Sequence, residues 1–184
     1  STEIARVRAR IIPDRWQRED FGVVSAMLDR LIQTEPENAE AWALRSIINS
    51  LQVVRNFDAG TRPLEAGKSD ADRALRLAPG SPLGELAYGI HLVAMTSRGG
   101  DIAACRPYID RAVAAMPADA LTRYAKLVSY WFGYEFEPVG KVAHEWLEAE
   151  PRASFPAWIL SQSSIVQRQP DEADQNRGHA DHQT

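Results

Sequence analysis

The chain has one cysteine, Cys105, among 184 residues, so it can form no disulfide within itself. That fits a reducing compartment. It has no run of 18 apolar residues, so no membrane-spanning helix is expected. It has no basic excess: 21 lysines and arginines face 25 acidic residues, and the net charge is −4. A general nucleic-acid binder would need the opposite balance. The local exception is Arg6, Arg8, Arg10, Arg15 and Arg18 near the start, read as a solvated helix face. Gly99-Gly100 follows no strand and precedes no Gly-Lys-Ser/Thr, so it is not a phosphate loop. No signal peptide is visible, because Ser1–Pro13 is studded with arginine. A cytoplasmic location is therefore expected, although a chain that begins at Ser1 is also compatible with a piece of something longer.

What the sequence does contain is repetition. One nine-residue phrase occurs four times: LDRLIQTEP at Leu28–Pro36, ADRALRLAP at Ala71–Pro79, IDRAVAAMP at Ile109–Pro117 and AHEWLEAEP at Ala143–Pro151. The closing prolines are 43, 38 and 34 residues apart. A period of about 34 to 45 residues is that of stacked helical hairpins. Aligned on their prolines, the phrases place Leu28, Ala71, Ile109 and Ala143 in one column. Leu31, Ala74, Ala112 and Trp146 form a second column, and Ile32, Leu75, Val113 and Leu147 a third. The columns are three and four residues apart, so they share one helix face and read as its buried stripe. The Asp29-Arg30, Asp72-Arg73 and Asp110-Arg111 pairs fall between the columns and read as surface charge.

Nine helices are expected. The first covers Glu3–Ile12, although the alternation Val7-Arg8-Ala9-Arg10-Ile11 also permits a strand. The second runs from about Arg15 to Thr34. The others are Ala39–Val54, Leu64–Leu77, Pro82–Thr96, Ile102–Ala115, Ala120–Phe132, Glu137–Ala149 and Ser154–Gln167. Pro82 suits a helix start, where a missing N–H costs little, and Asp101 is a good N-cap. The domain reading is a helical repeat over residues 1–167 and a polar tail over 168–184, expected to be disordered because it has little to bury.

No catalytic constellation emerges. His91 stands among Ile90, Leu92 and Val93 and reads as a packed helix residue. His144 reads as solvated. Cys105 shares a column with Val24, Gly67 and Val139 and reads as a small buried residue, with no base nearby in sequence. His179, Asp181 and His182 in the tail lack the ordered frame of about four convergent ligands that a structural metal site needs. Neither enzyme activity nor any cofactor or metal is expected.

The pattern resembles the tetratricopeptide repeat (TPR). The residues carrying the resemblance are Trp42 six places after Pro36, Ala87-Tyr88-Gly89, Gly100-Asp101, Ala74 and Ala112 in the small column, and the proline at each repeat end. The resemblance covers about Phe21–Val166. Trp146 departs from it, standing where the family usually has alanine, and Glu85 stands at an expected aromatic position unless Leu86 takes that place. Extra residues at Arg55–Pro63 and Arg98–Gly100 lengthen two hairpins. The resemblance implies an all-α, right-handed TPR-like stack of about four antiparallel helical hairpins. The composition also looks like the repeat region of bacterial multidomain regulators, including serine/threonine protein kinases, although no kinase motif is present.

In a TPR-like stack the first helix of each hairpin lines the concave side. The residues expected there are Ile47, Leu51, Leu83, Leu86, Ile90, Val93, Leu121, Val128, Trp131 and Phe132. The lysine and asparagine that grip a terminal carboxylate in some members of the family are replaced here by apolar residues, so that clamp does not carry over. The expected function is protein or peptide binding in an apolar groove, with an amphipathic helix as one possible partner. The alternative is a regulatory or sensory segment of a larger bacterial kinase or transcription regulator. Nothing in the sequence names the partner or the oligomeric state.

Overall fold

A computed structural model describes residues 2–11, 16–58 and 60–180, with side chains described through residue 168. The described residues are all-helical, with α1 (Thr2–Arg10), α2 (Arg18–Thr34), α3 (Ala39–Val54), α4 (Thr61–Leu77), α5 (Pro82–Met95), α6 (Arg106–Ala115), α7 (Ala120–Phe132), α8 (Phe136–Ala149) and α9 (Ser154–Ala180). The first segment is thus a helix, not a strand. The expected sixth helix is divided. Ile102–Cys105 is a 3-10 turn and the α-helix begins at Arg106, with Pro107 in its first turn. Helix α9 continues through Arg168, where the sequence suggests that a tail begins, to Ala180.

The repeated phrase has a repeated backbone. Helices α2, α4, α6 and α8 are closed by the cap residues Glu35, Ala78, Met116 and Glu150, each directly before a phrase-ending proline. All four caps have φ between −138° and −129° and ψ between 60° and 82°. A following proline clashes with helical geometry in the residue before it, so all four are forced out of the helix in the same way. Each cap N–H donates to the carbonyl of the second column, Leu31, Ala74, Ala112 or Trp146, at 2.7–2.9 Å. After three of these turns the next helix is capped by a side chain. Asn38 accepts from the Ala41 amide, Ser81 from Gly84, and Asp119 from Leu121 and Thr122. Such caps satisfy amides that a helix start leaves without partners.

The first two columns are buried in all four copies, as is the column of Val24, Gly67, Cys105 and Val139. Consecutive helices pack on one another. In addition α3 packs on α5 and α5 on α7, so the central helices have neighbours on more than one side. Small residues allow this. A Cβ on Gly89 of α5 would lie 2.7 Å from Cγ1 of Ile109 on α6, closer than real side chains approach. Gly67 lets α4 lie against α3, where the Ser46 hydroxyl donates to the Gly67 carbonyl at 2.7 Å.

Polar links tie the helices together. Asp70 of α4 is buried, and Arg45 of α3 grips both its carboxylate oxygens at 2.8 and 2.9 Å while reaching Asp29 of α2 at 2.8 Å. The Asp70 hydrogen bond holds the Arg45 guanidinium above its ordinary pKa, opposed by burial and helped by Asp29. At the other end of the chain order, α1 turns back toward α7. Ile4, Val7 and Ile11 are buried, and Arg8 meets Asp119 at 2.6 Å.

Candidate binding cleft

Eight of the ten residues expected to line an open groove are core. Ile47, Leu51, Leu86 and Ile90 are fully buried, and Leu83, Val93, Leu121 and Val128 almost so. The surplus of apolar residues on α3, α5 and α7 has a packing cause. These helices are flanked on several sides, and Ile11 of the N-terminal segment lies beside Leu121. A charge placed at Ile90 would be buried without a partner, so Ile90→Asp is expected to unfold the chain and not simply to remove binding.

Trp131 and Phe132 are the exceptions, both half-buried. Together with Val128 they line a cleft of about 560 Å³ bounded by the end of α3, the second half of α7, the first turns of α9 and the segment before α2. Its other walls include Trp16, Phe57, Tyr124, Phe155 and Trp158. Four of the rings form a connected set. Trp131 lies 6.4 Å from Trp158 and Phe155 stacks with Trp158 at 6.1 Å, while Tyr124 lies 4.8 Å from Phe155. Trp158 is 52% exposed, an unusual setting for so large an apolar surface. A tryptophan in the first turns of a helix after a proline turn is expected to pack structurally, and the exposure of Trp158 corrects that expectation.

Local backbone geometry sets the position of two walls. Helix α3 ends with Asn56 at φ 55°, and the Phe57 amide donates back to the Gln52 carbonyl at 2.8 Å. This is a left-handed helix stop, which asparagine tolerates better than most residues. Helix α7 ends in the same way, with Tyr134 at φ 55° and the Glu135 amide donating to the Tyr130 carbonyl.

Arg55, the cap of α3, brings a charge into the aromatic cleft. Its guanidinium carbon is 5.7 Å from the Phe57 ring centroid and 5.9 Å from that of Phe155. It donates to the Trp16 carbonyl at 3.3 Å. It also lies against Tyr124, whose phenol is pushed above its ordinary pKa by burial, with Arg55 offsetting part of that shift. The sequence reading keeps the loop Arg55–Pro63 only as a fallback to the concave helices, because the loop shows no periodicity. Asn56, a residue type suited to a left-handed helix stop, is the one local signal beside Arg55.

The remaining candidates are not gathered into a reactive group. Cys105 is fully buried, and burial pushes its thiol up to about 11. His144 is exposed on α8. His91 is buried on α5 with no partner for Nδ1, beside an apolar cavity of about 440 Å³ lined by Leu64, Leu92 and Met95. The side chains of His179, Asp181 and His182 lie outside the described residues. No described helix is long and apolar enough to cross a membrane. Family models, curated proteins and solved structures provide no match to the chain.

Proposed function

We propose that this chain is a TPR-like helical repeat whose work is non-enzymatic, namely holding a short peptide segment of another protein in the cleft between α3, α7 and α9. One observation carries the reading. Seven aromatic residues surround an accessible space of about 560 Å³, and one of them, Trp158, presents half of its surface to solvent. That volume is within the usual range of ligand sites, and exposed aromatics are enriched where proteins bind one another. The recurring proline caps and the packing of α3 on α5 and α5 on α7 support the repeat assignment.

The test is binding of an apolar peptide array to the full chain and to Trp158→Ala and Trp131→Ala variants. Capture is expected from the unsubstituted chain and a loss of about tenfold or more in each variant, because aromatic anchors dominate such interfaces. Circular dichroism should be unchanged for Trp158→Ala. Equal capture by the folded Trp158→Ala variant would place binding elsewhere.

A further inference from the structure

Among the described residues six arginines are half-buried: Arg8, Arg45, Arg55, Arg73, Arg106 and Arg123. Five meet a carboxylate: Asp119, Asp70, Glu37, Glu135 and Glu150 respectively for Arg8, Arg45, Arg73, Arg106 and Arg123. Arg55 has no carboxylate partner among the described residues. Its contacts are a main-chain carbonyl, a phenol and two aromatic faces. A guanidinium has five N–H donors, and the bonds to the Trp16 carbonyl and the Tyr124 phenol leave others free for a ligand in the cleft. A half-buried cation among rings gains from a counter-charge, and its planar fork matches a carboxylate.

From this geometry we propose that the occupant of the cleft is an acidic peptide segment, with an aspartate or glutamate side chain on Arg55 and apolar side chains on either side of it. The flanking chemistry comes from the rings around Arg55. Its guanidinium is within 6 Å of the Phe57 and Phe155 ring centroids, and Trp16, Tyr124 and Trp158 line the same cleft. A carboxylate on Arg55 therefore sits beside apolar surface, which suits an acidic residue with apolar neighbours inside a segment better than a chain terminus. This inference rests on the cleft reading above and specifies what the cleft selects.

The experiment uses the full chain and an array of acetylated, amidated pentapeptides. Two central neighbours vary among leucine, isoleucine, phenylalanine and tryptophan around a central glutamate, glutamine or lysine. A fourth set has central glutamine and a free terminal acid. Affinities are measured by calorimetry for the unsubstituted chain and for Arg55→Met, which keeps the apolar stem. The expected result is that glutamate peptides bind about tenfold or more tighter than their glutamine counterparts. Arg55→Met should remove that preference while glutamine peptides still bind and the helical circular dichroism is kept. If Arg55→Met fails to fold, Arg55→Lys must reduce the preference while the fold is retained. Glutamate and glutamine peptides bound equally would overturn the carboxylate assignment and leave the cleft reading standing. Preference for the free-acid set would overturn the internal position. If no peptide of any set binds, both readings fail together.

Discussion

Trp42 and Trp158 each open a helix that follows a proline turn, yet their surroundings differ. Trp42 is half-buried, donates its indole N–H to the Pro36 carbonyl at 2.8 Å and carries Arg45 over its ring at 4.7 Å. Trp158 leans on the cleft wall with half of its surface in water. Trp42→Ala is expected to destabilise by about 2 kcal/mol, part of the cost for a fully buried tryptophan. Trp158→Ala should cost less than about 1 kcal/mol. Urea unfolding of both variants checks this, and equal midpoints would refute it. His91 makes a second prediction at this scale. Burial lowers its pKa below the ordinary value of 6.5, with Lys68 adding to the shift and Asp72 opposing it. The folded chain therefore binds this proton less readily than the unfolded chain. The stability it protects is present above the unfolded pKa and is lost as pH falls through the lower folded value. Urea midpoints should fall between pH 7.5 and 5, and His91→Leu should fall less steeply over the same interval. An identical slope in both proteins would show that His91 does not govern this window.

Helix contacts in this fold depend on short side chains at defined crossings. A Cβ on Gly89 of α5 would meet Tyr108 and Ile109 of α6 at 2.7–3.4 Å, so a side chain there must displace the helix or Ile109. Alanine-like helix propensity would favour replacing a mid-helix glycine by up to about 1 kcal/mol, but overpacking costs about 1–3 kcal/mol and grows with size. Gly89→Val should therefore lower the thermal midpoint markedly. The same change at Gly140 of α8, where a Cβ would meet nothing within 4 Å, should change it little. Thermal melts of the pair give the comparison. Comparable losses at both sites would mean that propensity, not contact, controls the response.

At the scale of the whole molecule, α1 links the beginning of the chain to its later half. It buries Ile4 and Val7, continues to the buried Ile11, and places Arg8 on Asp119, the residue that also caps α7. Removing residues 1–11 exposes this apolar surface and leaves Asp119 with its capping role alone. Burial of three aliphatic side chains contributes about 1.5–3 kcal/mol each at most. A truncated chain beginning at residue 12 should unfold several degrees lower and show loss of protection in amide exchange at the start of α7. Unchanged exchange at Leu121 and Thr122 would show that α1 rests on the repeats without supporting them.

The four proline-ended phrases determined, from sequence alone, where α2, α4, α6 and α8 stop and which of their faces is buried. Those outcomes depend on local steric rules and on spacing along a single helix, both of which a sequence contains. The starts of α3 and α7 have local causes too, since Asn38 and Asp119, which cap them, are residue types that favour that position. Only tertiary structure decided what the apolar surplus on α3, α5 and α7 does. A second apolar face looks the same in sequence whether it meets a partner or another part of its own chain, and burial of Leu86, Ile90 and their equivalents settles it in favour of the core. The cleft was equally hidden. Trp16, Arg55, Tyr124, Phe155 and Trp158 are separated by up to 142 residues and belong to no common period, so their meeting depends on how distant helices and connectors pack.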